Sequence, residues 1–184
     1  IEKVQSVVGS TLFMTIIGGI ITAILGVFFA HDILELLGTD PKVMHLALPY
    51  VQWMLAGSPL LFVYIIYTSI LRGVGDSTTP LLALALTSVI GVIITPILLK
   101  GYFGFPALGI IAPAIASIIS YIAILIFLAI YLNKKNHSLR PNRQLLQHIR
   151  HNPELSKIIL RLGVPTGIQM ITTSMAGLVI VGLV

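Results

Sequence analysis

The sequence has 184 residues, of which 57% are hydrophobic and 9% charged, with a formal net charge of +5 and a mean hydropathy of +1.03. A soluble domain carries roughly 25% charged residues to cover its surface, so this composition does not describe one. Cysteine is absent, which excludes disulfides and thiolate metal sites.

Charge spacing supplies the architecture. No Asp, Glu, Lys, Arg or His occurs from Val4 to Ala30, Leu46 to Leu71, Ser77 to Leu99, Gly101 to Asn133, or Leu162 to Val184. Each stretch exceeds the ~20 residues that span a bilayer as helix. Lipid offers backbone groups no partner, so each stretch is expected to fold as a helix that satisfies its own amides. The prediction is an all-α, polytopic membrane helix bundle with five crossings. Ile1 stands where an initiator Met would, and the chain stops at Val184 without a polar anchor, so it reads as a fragment.

Threading five crossings puts Lys3, Arg72, Lys134, Lys135, Arg140, Arg143, Arg150, Lys157 and Arg161 on one side and only Lys42 and Lys100 on the other. That asymmetry makes the first side cytoplasmic, with residues 1–6, 72–78 and 134–160 facing inward. The lipid bilayer, not nucleic acid, is the partner this basic charge implies.

The first span, about Val7 to Phe29, carries Gly9, Gly18, Gly19 and Gly26, which permit close helix approach in lipid. His31 to Leu37 reads as a short separate interfacial helix ended by Gly38. Asp40 then caps the second span, with Pro41 in its first turn. That span, about Val43 to Leu71, places Tyr50 and Trp53 near its outer end and Pro59 at mid-membrane, where a kink is predicted. Arg72-Gly73-Val74-Gly75-Asp76 reads as a tight turn, with Asp76 or Ser77 capping the next helix and Pro80 in its opening turns. A gating role for this turn is a further reading.

The third span, about Pro80 to Leu99, has a weakly polar stripe of Thr87, Ser88, Gly91, Thr95 and Pro96, the last a second kink position. Tyr102, Phe103 and Phe105 form an aromatic belt before the fourth span, about Leu108 to Leu132. The polar stretch that follows carries Leu139, Leu145, Leu146 and Ile149 at spacings compatible with a surface-lying helix. Asn152-Pro153-Glu154 starts the last helix, in which Pro165 predicts a third kink.

In their order, these features resemble the multidrug and toxic compound extrusion family. The resemblance is carried by Leu37-Gly38-Thr39-Asp40-Pro41 with Ala47-Leu48-Pro49-Tyr50, by Leu71-Arg72-Gly73-Val74-Gly75-Asp76 through Pro80, by Gly104-Phe105-Pro106-Ala107-Leu108-Gly109, and by Leu162-Gly163-Val164-Pro165. It implies a two-lobe, twelve-helix secondary transporter, of which this chain would hold roughly helices three to seven. Residues 1–133 would be the remainder of the N-terminal lobe with four transmembrane helices, 134–152 a basic cytoplasmic linker, and 153–184 the first helix of the C-terminal lobe.

The implied function is multidrug efflux, not enzymatic catalysis. Organic, often cationic, compounds would leave in exchange for H+ or Na+ by alternating access in a bacterial inner membrane. Second readings are a lipid-linked saccharide flippase of the same superfamily or a structural membrane subunit. Family members place acids where this chain has Thr95, before Pro96, and Thr173, eight residues after Pro165. No span here contains a carboxylate, so the coupling-ion site is expected in helices of the same polypeptide outside this sequence. No cofactor or metal is expected. Tyr64, Tyr67, Thr95, Gln169, Thr172 and Thr173 remain candidates for a weakly polar cavity lining for small organic substrates, the aromatic faces being able to attract cations.

Overall fold

The computed structural model describes residues 2–104 and 106–135, and beyond them residues 157–159, 161, 164 and 172, which are helical. The elements in order are α1 (Glu2–Leu36), α2 (Pro41–Ala56), α3 (Ser58–Gly73), α4 (Thr78–Lys100), two short 3-10 turns (Tyr102–Gly104 and Gly109–Ile111), and α5 (Ala112–Lys134). Among the described residues, three helices are long and apolar enough to cross a membrane, and α2 with α3 forms a fourth, bent crossing. These correspond to the first four predicted crossings. The surface-lying helix and linker expected after Lys135, the fifth crossing and its Pro165 fall on residues that lie, apart from the few just given, outside the described set.

One boundary differs from the sequence reading. His31 to Leu37 is not a separate interfacial helix, because α1 continues without a break to Leu36. Neither Gly nor Pro occurs between Phe29 and Leu36, so nothing interrupts the hydrogen-bond ladder. At ~1.5 Å per residue the helix is about 50 Å long, more than the ~30 Å hydrocarbon core, so its ends project beyond it. It closes when Gly38 turns left-handed (φ 73°), with Thr39 N–H donating to Leu34 O (3.1 Å) and Gly38 N–H to Glu35 O (2.9 Å). Asp40 then caps α2, its Oδ1 accepting from Lys42 N–H at 2.8 Å.

The second crossing is broken at Gly57 and bent by 45°. The sequence reading places this bend at Pro59; here Pro59 lies in the first turn of α3, where its missing N–H leaves no ladder bond unmade. The bend is wedged between two neighbours. An ideal Cβ on Gly19 of α1 would stand 2.7 Å from Pro59 Cα, and one on Gly57 would stand 2.6 Å from Ile118 Cγ1 of α5. Glycine lets the backbones meet, and Ser58 Oγ donates to Gly19 O across that contact (3.4 Å). By contrast, α4 runs through Pro96 without interruption.

Because the crossings alternate in direction, the start of α1, the α3–α4 turn and the end of α5 share one end of the bundle. The main core lies there: Val8 and Leu12 of α1, Tyr67 and Leu71 of α3, Ala83 of α4, and Ile124, Leu128 and Leu132 of α5. A smaller cluster of Leu98, Ala112 and Ala116 holds α4 to α5 at the opposite end.

Candidate functional site: a groove between α3 and α4

The turn that joins α3 to α4 closes by the same local chemistry as the end of α1. Gly75 is left-handed (φ 90°), Asp76 N–H donates to Leu71 O and Gly75 N–H to Arg72 O, both at 3.0 Å. Gly73 is the last helical residue and has open space where a Cβ would stand, so the conformational demand falls on Gly75. Asp76 supplies the cap for α4: its Oδ1 accepts from Thr79 N–H at 3.0 Å and its Oδ2 from the Thr79 hydroxyl. Ser77, the other residue considered for that role, makes no side-chain cap bond.

Beside this turn the two helices line a groove of about 350 Å³, formed by Tyr64, Ile65, Thr68, Arg72, Ser77, Pro80, Leu81 and Leu84. The lining follows helical spacing. Tyr64, Thr68 and Arg72 are four apart on α3, and Ser77, Leu81 and Leu84 are four and three apart on α4, so each set shares one face. Arg72 occupies the last turn of α3, a favourable place for a cation, and its Nη2 donates to Ser69 Oγ at 3.1 Å. Thr68 Oγ1 is committed to the carbonyls of Tyr64 (2.9 Å) and Ile65 (3.0 Å), which makes the wall less polar than its composition suggests. Tyr64 stacks on Tyr121 of α5, with ring centroids 5.8 Å apart. Farther round the same end, the exposed Lys135 ammonium lies 4.7 Å from the Tyr131 ring centroid. Its pKa is raised, chiefly by a hydrogen bond with the Tyr131 side chain.

The groove brings together residues that the sequence reading kept in separate groups: Arg72 and Pro80 from the turn, and Tyr64 from the cavity candidates. Tyr67 instead points into the main core. Thr95 is half-buried on α4, eleven residues beyond Leu84 and therefore about 16 Å farther along the helix. Thr172 is helical and exposed, while Gln169 and Thr173 lie outside the described residues. Ile65, Leu81 and Leu84 were not singled out from sequence; the signal available was their position on the faces that flank a tight turn.

The model of the MatE family matches residues 1–97. The chain belongs to the MatE family. It is 39% identical over 183 residues to the "Probable multidrug resistance protein YoeA" of Bacillus subtilis, covering 100% of this chain and 40% of that protein. To the "Probable multidrug resistance protein NorM" of Bacillus cereus (strain ATCC 10987) it is 30% identical over 170 residues, 90% of this chain and 36% of that one. In fold it matches the structure of a MOP superfamily transporter from Pyrococcus furiosus with a TM-score of 0.79 at 24% identity, covering 94% of this chain and 37% of the other. The MatE chain is thus a multi-pass membrane protein by the length and composition of its helices, and it spans less than half the length of these relatives.

Proposed function

We propose that the MatE protein carrying this chain is a secondary antiporter that exports organic, often cationic, compounds in exchange for H+ or Na+. The observation that carries this reading is the 39% identity, across the whole chain, to a protein named for multidrug resistance. In this reading, residues 1–133 are four helices of the N-terminal lobe, 134–152 the cytoplasmic linker and 153–184 the first helix of the second lobe. The membrane is the bacterial inner membrane, and residues 1–6, 72–78 and 134–160 face the cytoplasm. Names given to relatives favour efflux over the saccharide flippase.

The chain's contribution is a braced set of helices against which a second lobe rocks in alternating access. Coupling needs an ionisable group at membrane depth, where desolvation makes its protonation or ion binding responsive to the other side. The uncharged stretches of this chain contain no Asp, Glu, Lys, Arg or His, which supports a coupling carboxylate in the remainder of the polypeptide. Arg72 repels cations from the α3–α4 groove, so a cationic substrate is held outside that groove, in the central cavity, against aromatic and hydroxyl side chains.

The test is accumulation of ethidium in efflux-deficient bacteria expressing the full-length protein. Accumulation is expected to fall below that of vector-bearing cells and to recover when the proton or sodium gradient is dissipated. Absence of gradient-dependent efflux across a panel of organic cations would remove the antiporter reading.

A further inference from the structure

The α3–α4 groove has two chemically distinct levels. At the turn it presents the Arg72 guanidinium and the exposed Ser77 hydroxyl; deeper, it presents Ile65, Leu81 and Leu84, which are 44%, 66% and 57% exposed. Ser77 to Leu84 is seven residues and Arg72 back to Tyr64 is eight, so the groove extends about 10–12 Å along the bundle axis from its charged rim. That matches the step from the headgroup level of a leaflet to its upper acyl chains. Lys134 and Lys135 stand exposed at the same end of the bundle. The nearest acid in sequence, Asp76, accepts hydrogen bonds from Thr79 and interacts electrostatically with Lys135, and it is not part of the lining.

We propose that this groove is a binding site for an anionic phospholipid of the adjacent leaflet. The phosphate pairs with Arg72 and accepts from Ser77, and the first part of an acyl chain lies along Ile65, Leu81 and Leu84 beside the Tyr64 ring. Charge complementarity selects this occupant: a guanidinium at a bilayer surface attracts an anionic headgroup, and an uncharged or cationic amphiphile gains nothing from it. Leu81 and Leu84 are exposed in this chain, and the proposed lipid enters through that side of the groove. Neither a bound substrate nor an ion gradient is required, and the site stands or falls independently of what the protein exports.

The experiment uses the full-length protein in nanodiscs of equal phosphatidylglycerol and phosphatidylcholine, with retained lipids counted by native mass spectrometry. Wild type is expected to retain phosphatidylglycerol preferentially. Arg72→Gln should lower that retention about five-fold, the contribution of one basic residue near an anionic surface. Arg72→Lys, which keeps the charge, should largely preserve it. Leu84→Trp, which fills the apolar level and leaves the rim intact, should reduce retention of both lipids. Unchanged phosphatidylglycerol retention in both Arg72→Gln and Leu84→Trp would overturn the proposal, as would full displacement by inorganic phosphate, which needs no acyl chain. If another helix of the polypeptide fills the groove, a spin label at Leu84→Cys will be inaccessible to spin-labelled phosphatidylglycerol, and the proposal fails.

Discussion

The two ends of the bundle are built on different principles. At the end that carries Arg72 and Lys134, large side chains from α1, α3 and α5 interlock with Ala83 of α4, and Leu71, Ile124 and Leu132 are fully buried. At the end that carries Asp32, Glu35 and Asp40, the buried cluster is Leu98 with two alanines, while α1 leaves Phe28 79% exposed and Phe29 half uncovered. The Gly57 bend lies between the two ends, with Gly57 against Ile118 of α5 and the neighbouring Pro59 against Gly19 of α1. Burying an apolar side chain confers little in a solvent that is itself apolar. The end with the larger core must therefore be held by close packing and by the geometry of its turn, and these are what mutation can separate.

The largest expected contrast is between Leu71→Ala and Phe28→Ala. Truncating Leu71 leaves a cavity among four helices and should cost about 2–5 kcal/mol, whereas Phe28, 79% exposed in this chain, has few contacts within it to lose and should cost less than about 1 kcal/mol. Unfolding by steric trapping in bicelles measures both, and equal losses would erase the distinction between the ends.

A second contrast sharpens the account of the turn. Gly75→Val forces a β-branched residue to positive φ and should cost about 1–3 kcal/mol, while Gly73→Val, at a helical position with open space, should be close to neutral. Thermal melts in detergent compare the pair. Comparable destabilisation by both would mean that the turn is not the one described.

The smallest expected effects are at the caps. Asp76→Ala and Asp40→Ala should each lose about 1 kcal/mol, with Asp76 the costlier because it accepts two hydrogen bonds from Thr79, whereas Asp40 accepts one from Lys42. The same melts, with the reverse ranking, would place the α4 cap elsewhere.

Much of this arrangement was legible in the chain because a bilayer leaves few choices: a long uncharged stretch must be a helix, and Asp40-Pro41 and Gly75-Asp76 mark where helices start and stop. Three features were less visible. The continuation of α1 through His31, Asp32 and Glu35 looked like a separate element because polar residues suggest an interface, yet polarity without a glycine or proline does not end a helix. The bend was assigned to Pro59 because proline is the usual breaker, but the break falls two residues earlier, at the glycine that meets α5. The groove was hidden because its two walls belong to different helices, and only the turn's geometry decides that Tyr64 and Leu84 face a common space. Gln169 and Thr173 lie outside the described residues, and Thr95 stands apart from the groove.

The central claim is that the uncharged stretches cross a membrane and leave the basic turn on its cytoplasmic face. This chain has no cysteine, so Thr39→Cys and Ser77→Cys introduce single reporters into it, once any cysteines in the rest of the polypeptide are replaced. Intact cells treated with a membrane-impermeant maleimide should label Thr39→Cys readily, and Ser77→Cys only after permeabilisation. Labelling of Ser77→Cys in intact cells, or equal labelling of both, would contradict the account.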